Sequence, residues 1–271
     1  MSGLFLLTNG FLKCKNPYIM KSIKEELMEN FKEPTFYKSW DKSKFKDILE
    51  KNVEDKNIIK VNLGIEETDY CLKNLPEKVT SKIKDNAIID IGTGWGDSLL
   101  IFNQYSPKLI DCFECNRTIF RILNKIILPY KNMNASNVAM EEYGDQELLV
   151  RWKDKEKSDS DIAWNVDHAD TFIVSYALKH LVYNIPIALI KINAGSSTTK
   201  ILKGGKDFFK RYKPNILIIE SSYDQKTFDF IPKFIKEILP EYKHKVVTPN
   251  SNENISFKED YYNLFYRIDF L

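Results

Sequence analysis

The chain has 271 residues, 43% of them hydrophobic and 29% charged, which is enough apolar material for a sizeable core; no repeat or low-complexity tract appears. Lysine and arginine number 40 against 38 aspartates and glutamates, and the net charge of +2 argues against the strong basic footprint of a nucleic-acid binder. No apolar run approaches the roughly 18 residues of a membrane span, and Cys14, Cys71, Cys112 and Cys115 are too few and too scattered for a disulfide scaffold.

Cys112-Phe-Glu-Cys115 has C-x-x-C spacing, but no second such pair follows and His168, His180 and His244 stand alone. No metal site is expected from these residues. Reduced cysteines fit a reducing, intracellular compartment, and the expected location is cytoplasmic. Leu4 to Leu7 is apolar but short and lacks a preceding basic stretch, so it reads as an early strand rather than a signal peptide. Lys42, Lys44 and Lys46 are flanked by Asp41 and Asp47 and read as a solvated helix face.

Residues 1–85 are expected to form a helical N-terminal extension, packed on a core domain of residues 86–271 as one globular unit. Ser22 to Phe31 reads as a helix, with Ile23, Leu27 and Phe31 on one face, and Glu33-Pro34 breaks it. Trp40 to Val53 reads as a second helix and Asn57 to Leu63 as a strand. Tyr18, Phe31, Phe36, Tyr37 and Trp40 make this region aromatic, which core packing explains better than a substrate platform. Asp69 to Lys84 leads into the core through a helix broken near Pro76.

The core opens on Asn86-Ala-Ile-Ile-Asp-Ile-Gly-Thr-Gly-Trp-Gly-Asp-Ser98. An apolar run, Ala87 to Ile91, ends in Gly92, Gly94 and Gly96, and a helical stretch follows from Trp95 to Phe102. This is strand, tight turn, helix. Such a turn can let a ligand approach the backbone and can aim the free amides of the helix start at it. An ordinary strand–helix turn is the competing reading. Lys108 to Glu114 is a second short strand ending in an acid. Glu114 lies 22 positions after Gly92, close to the roughly 20 expected for an acid that binds ribose hydroxyls.

Asn116 can cap a helix to Ile127, with Ile119, Ile122, Leu123, Ile126 and Ile127 on one face and Pro129 as its stop. Ser136 to Met140 reads as a third strand, Glu141 to Asp145 as a turn, Leu148 to Trp152 as a strand, Lys153 to Asp161 as a charged surface loop and Thr171 to Ser175 as a strand. Ile185 to Ile192 is nearly all apolar, as a doubly covered parallel strand should be. A helix from Ser197 to Tyr212, a strand from Pro214 to Glu220 and a helix from Gln225 to Leu239 follow. Tyr242 to Val247 and Tyr261 to Phe270 read as two final strands joined by a polar loop, which implies an antiparallel pairing. The alternation predicts a doubly wound, mostly parallel α/β sheet with an antiparallel terminal strand.

The glycine turn, Asp90-Ile-Gly-Thr-Gly-Trp-Gly96, is D-x-G-x-G-x-G rather than the dinucleotide fingerprint. It resembles motif I of the class I, Rossmann-like S-adenosylmethionine (SAM) methyltransferases. Phe113-Glu-Cys-Asn116, Ser136-Asn-Val-Ala-Met140, Leu189 to Gly204 and Lys213 to Glu220 extend the resemblance, over residues 86–247, to the FkbM-type enzymes of that class. The resemblance implies a SAM site formed by Asp90, Gly92, Thr93, Gly94, Gly96, Ser98, Glu114 and Asn137, with Asn137 flanking the adenine. It also implies O-methyl transfer to a hydroxyl of a sugar or other small metabolite, as a saccharide or small-molecule acceptor.

The departures are as informative. The family has Lys-Ile-Asp-Val-Glu-Gly-Ala-Glu where this chain has Lys191-Ile-Asn-Ala-Gly-Ser-Ser-Thr198, and Thr-Leu-Asp where it has Ala177-Leu-Lys179. Asn193, Gly195, Thr198 and Lys179 thus stand where carboxylates are expected. Asn193 can orient a hydroxyl but cannot take its proton. That leaves Lys191 and Glu220, at the ends of neighbouring strands, as candidates for the proton role, and Lys191 would need a depressed pKa for it. The alternative is a degenerate, non-catalytic fold acting as a binding or structural partner. An RNA ribose methyltransferase is a third reading, faintly echoed by Lys191 and Glu220 and opposed by Asn193 and the low net charge.

Overall fold

The computed structural model describes residues 6–8, 11–13, 65–154, 159–163, 171–221, 225–248 and 261–268. The helices expected over 22–31 and 40–53 and the strand over 57–63 lie outside these residues. Two short strands, β1 (Leu6–Thr8) and β2 (Phe11–Lys13), pair as an antiparallel hairpin.

The centre is a seven-stranded sheet. It contains β3 (Ala87–Ile91), β4 (Leu109–Phe113), β5 (Met133–Ser136), β10 (Ile187–Ile192), β11 (Ile216–Glu220), β12 (Lys243–Val247) and β13 (Tyr262–Tyr266). The order is β12-β13-β11-β10-β3-β4-β5, and β13 alone runs against its neighbours β11 and β12. The antiparallel pairing expected for the last two strands is thus present, and β13 pairs antiparallel with β11 as well. β3, β4, β10 and β11 are buried along their whole length. Their sequences are therefore mostly apolar runs rather than alternating, each carrying one buried charged residue: Asp90, Asp111, Lys191 and Glu220.

The two sheet faces carry different helices. Ala87, Ile89 and Ile91 pack with Ile201, Leu202, Phe208, Phe209, Ile231 and Ile235, which come from the helices after β10 and β11. Ile88 packs on the other face with Leu99, Phe102, Leu123 and Ile127. These come from α3 (Asp97–Gln104) and α4 (Arg117–Ile127). The same cluster holds Cys71, Leu72, Leu75, Val79 and Ile83, from α1 (Ile65–Lys73) and the short helical turns α2 (Glu77–Thr80) and Ser81–Ile83. Residues 71–83 are thus part of the same core. Each such side chain, fully buried, contributes about 1.5–3 kcal/mol. In α4 the Asn116 side chain accepts from the Thr118 and Ile119 amides, and all five apolar positions named above are buried.

A second sheet is inserted between β5 and β10. Its order is β6-β9-β7-β8, from β6 (Ala139–Met140), β7 (Glu147–Asp154), β8 (Asp159–Ala163) and β9 (Thr171–Tyr176). It corrects two expectations. The stretch 136–140 is not one strand: Ser136 ends β5 and Ala139 begins β6. Between them the Asn137 side chain donates to the Glu114 and Cys115 carbonyls, bracing the chain where it leaves the main sheet. Of the charged stretch 153–161, the described residues are strand, 153–154 ending β7 and 159–161 opening β8, because a ladder of backbone hydrogen bonds needs no apolar side chains. The helix expected over 197–212 is interrupted at Gly205 between α5 (Thr198–Gly204) and α6 (Lys206–Tyr212). A glycine pair is a common point for such a break. The last helix is α7 (Gln225–Ile238).

Candidate functional site

Strand order reverses between β3 and β10: the chain winds from β3 to β4 and β5 on one side, then returns to β10 and β11 on the other. The crevice outside the carboxyl ends of the strands at such a point is where doubly wound sheets bind ligands. The glycine turn and the loop after β10 both lie there. They touch: the Asn193 amide donates to the Ile91 carbonyl at 2.9 Å. A Cβ built on Gly92, whose φ is +73°, would lie 1.8 Å from the Asn193 carbonyl oxygen. Gly92 is therefore required by the protein's own backbone.

The turn also places several of its amides on partners within the protein. Gly92 and Thr93 donate to the Phe113 carbonyl, Gly96 to the Thr93 carbonyl, and Gly94 to Glu114 Oε2 at 2.9 Å. The Thr93 hydroxyl donates to the Asp90 carbonyl. The turn is thus a pre-shaped, self-satisfied loop. Its φ angles are positive at Gly92, Gly94 and Gly96.

Below it lies a buried charge cluster. Asp90 Oδ2 accepts from the Ser98 hydroxyl at 2.5 Å and Asp90 Oδ1 from Lys191 Nζ at 3.2 Å. Asp90 and Lys191 are register partners on β3 and β10. Burial works to lower the Lys191 pKa, but Asp90, Asp97 and Glu220 more than reverse it, and the ammonium is held above its ordinary value. A lysine that keeps its proton cannot take another, so the proton-acceptor role foreseen for Lys191 finds no support in its surroundings. Burial raises the Asp97 carboxyl, against Lys191 and two backbone amides. Glu220 ends β11 and is buried.

Glu114 follows β4 and is 3% exposed. Its Oε1 accepts from the Asn116 amide at 2.7 Å and its Oε2 from the Gly94 amide. Burial pushes its pKa up to about 7, against those two bonds. The Cys115 thiol is a third donor to it; an ionised carboxylate has about four lone-pair sites, so room is left for about one further donor. The donors of Asn137 are turned back to the backbone at 114–115.

In the loop after β10, Asn193 and Gly195 are half-buried, Ser196 is exposed, and Thr198 is fully buried with its hydroxyl unpartnered. Lys179 sits with its ammonium 5.8 Å from the Tyr143 ring centroid. Sequence reasoning missed Glu141. This residue follows β6 and is 5% exposed. Its Oε1 accepts from the Ser197 hydroxyl at 2.7 Å, and Lys200 lies 3.5 Å from Oε2. The signal in the sequence was faint, since an acid between Met140 and Tyr143 reads as part of a turn. Among the described residues no group of histidine, cysteine and acid side chains is arranged to hold a metal ion, and no helix is long and apolar enough to cross a membrane.

No protein-family model matches the sequence, and no curated protein matches it. Among solved structures the chain is similar to methyltransferase FkbM from Methylobacillus flagellatus KT, at 15% identity and a TM-score of 0.50 over 83% of this chain. The chain spans 58% of that protein's length. It is also similar to an rRNA methylase from Streptococcus thermophilus, at 12% identity and a TM-score of 0.44, over 70% of this chain and 93% of that one. A precorrin-6y C5,15-methyltransferase from Geobacter metallireducens GS-15 gives 13% identity and a TM-score of 0.44, over 80% of this chain and 96% of that one. At these identities the likeness speaks for the fold alone. That fold is the Rossmann-like sheet of class I methyltransferases, with the resemblance to the FkbM type holding at the level of architecture.

Proposed function

We propose that the chain binds SAM over the glycine turn and transfers its methyl group to a hydroxyl of a sugar or other small metabolite. The observation that carries the reading is Glu114 at the end of β4. It is a buried carboxylate anchored to the glycine turn through Gly94, with the Asn116 amide and the Cys115 thiol as further donors and acceptor capacity left for about one more. That remaining capacity fits a ribose hydroxyl. Asp90, Ser98 and Lys191 support the turn from beneath, and Asn137 fixes the backbone at Glu114. SAM, when bound, would supply a methyl group on a positively charged sulfur.

The residues of the chain must then orient the acceptor and move its proton. Orientation alone is worth roughly 7–11 kcal/mol of barrier. Asn193 is half-buried beside the glycine turn and can hold a hydroxyl by hydrogen bond. Lys191 serves as a fixed cation paired with Asp90. Glu220, in the same charge field, is the remaining proton-role candidate from the sequence.

The absence of carboxylates at 193, 195, 198 and 179 favours a second reading, a protein that keeps SAM binding and has lost turnover. One experiment separates the two. Calorimetry with SAM and S-adenosylhomocysteine measures binding. S-adenosylhomocysteine formation is then assayed over a panel of saccharides, small hydroxylated metabolites and a short RNA. Binding with turnover on a saccharide or metabolite supports the first reading, and binding without any turnover the second. Turnover on the RNA alone would replace the acceptor class. No binding would reject both.

A further inference from the structure

We propose that Glu141, delivered by the inserted sheet, is the proton-holding group of the transfer, acting through the Ser197 hydroxyl. The proposal rests on the transferase reading and deepens it. The loop after β10 starts in contact with the glycine turn, at Asn193 against Gly92, and runs to Ser197 within four residues. It contains no carboxylate. Glu141 is the acid among the described residues whose side chain bonds to this loop, through Ser197 Oγ at 2.7 Å. The other acids nearby have different partners. Asp90 is paired with Lys191 and Ser98, and Glu114 is held by the Gly94 and Asn116 amides.

Glu141 is also fixed in place. Its amide donates to the Tyr176 carbonyl at 2.9 Å. The next residue lies flush on the end of α5: a Cβ on Gly204 would come within 2.6 Å of the Glu142 Cα and carbonyl oxygen. That backbone contact seats the turn by itself, so the Glu141 carboxylate is not needed as a clamp. A buried carboxylate is no better for stability than an apolar group of its size. What it adds is a place for a proton. Lys200 faces it from α5 at 3.5 Å with its side chain half-exposed, where an ion pair is weak.

The step balances. The acceptor hydroxyl's proton passes to Ser197 Oγ while the Ser197 proton passes to Glu141 Oε1. The acceptor oxygen's electron pair forms the new bond to the methyl carbon, and the carbon–sulfur pair stays on sulfur, leaving a neutral thioether. Ser197 ends with a proton and Glu141 with one more than it began with, which solvent then removes.

The test uses the full chain with SAM and the best acceptor of the panel above. Glu141→Gln should lower kcat by roughly 10²- to 10⁴-fold, the worth of a positioned base. KM for SAM and the calorimetric affinity for S-adenosylhomocysteine should stay within about twofold. Ser197→Ala should lose a similar factor, and Ser197→Thr, which keeps the hydroxyl, should recover most of it. In Glu141→Ala, added formate should restore part of kcat. A Glu141→Gln variant that folds, binds S-adenosylhomocysteine and turns over at the unmutated rate overturns the role of Glu141 while leaving the transferase reading intact. Loss of binding together with kcat, without formate rescue, assigns Glu141 to structure and also overturns it. If the unmutated chain binds SAM and methylates nothing, the transferase reading falls and takes this role with it.

Discussion

The two sides of the crevice are built differently. On the β3–β4 side most of the charged and hydroxyl groups are held within the protein: Asp90 by Ser98 and Lys191, Glu114 by the Gly94 and Asn116 amides, the Thr93 hydroxyl by the Asp90 carbonyl. On the β10 side the loop is uncharged. It borrows its acid from another sheet and leaves the Thr198 hydroxyl buried without a partner. A largely matched side is pre-shaped and resists change, because most deletions strand a partner. A partly matched one is where a second molecule can supply what is missing. The contrast favours a retained ligand side and a reshaped acceptor side.

The sharpest way to break the comparison is at the point where the two sides touch. Gly92→Ala puts a methyl 1.8 Å from the Asn193 carbonyl oxygen, at a φ of +73°. Both backbones would have to move, and we expect a loss of at least about 4 kcal/mol, read from denaturant unfolding, with binding of S-adenosylhomocysteine abolished. Next comes Lys191→Met. It removes the cation that compensates Asp90 at zero exposure, and breaking such a pair costs about 3–5 kcal/mol. The double variant Lys191→Met, Asp90→Asn should recover much of that. If the single variant is as stable as the unmutated chain, the cluster is not the keystone of the ligand side.

Glu114 gives a pH test. Its carboxyl has a folded pKa of about 7 against an ordinary 4.5. The folded state therefore holds a proton that the unfolded state releases between those values. The stabilising contribution is fully present below about 4.5 and is lost as pH rises through about 7. A shift of this size corresponds to about 3 kcal/mol. Unfolding measured from pH 4 to 8 should show the decline, and Glu114→Gln should flatten it. SAM affinity should change the other way, improving as pH passes about 7 and the carboxylate becomes free to accept ribose hydroxyls. A flat affinity profile would detach Glu114 from the ligand.

Much of this was legible in the sequence because the elements are locally consistent. The α4 cap and stripe, Asn116 with Ile119, Ile122, Leu123, Ile126 and Ile127, are found as read. So is the reversal of the last strand. The positions of Asp90, Glu114 and Lys191 were legible too, because they lie at or near the ends of sequence-marked strands. What was not legible depends on contacts between distant segments. Nothing near Gly92 indicates that its missing Cβ makes room for Asn193, about a hundred residues on. The inserted sheet was hidden because β6 is only two residues long and β8 is partly charged. Glu141 was hidden with it. Lys191 was seen as a strand-end charge, but the three acids around it, which decide its protonation, come from three other elements.

The smallest effect is the most direct comparison of the two sides. Ser98→Ala removes the hydroxyl that donates to Asp90 Oδ2 and leaves a buried carboxylate oxygen short of a partner. This should cost about 1–3 kcal/mol. Thr198→Val removes a buried hydroxyl that has no partner and replaces it with a methyl of nearly the same size. No hydrogen bond is lost, and the desolvation cost of the hydroxyl disappears. The variant should therefore be as stable as the unmutated chain or more stable by up to about 1 kcal/mol, with binding of S-adenosylhomocysteine unchanged. Acceptor turnover is the discriminating readout. If the Thr198 hydroxyl is held for the acceptor, KM for the acceptor should rise several-fold in the valine variant while the protein gains stability. A Thr198→Val protein that is clearly destabilised would mean that its hydroxyl is matched after all, and that the two sides of the crevice are built alike.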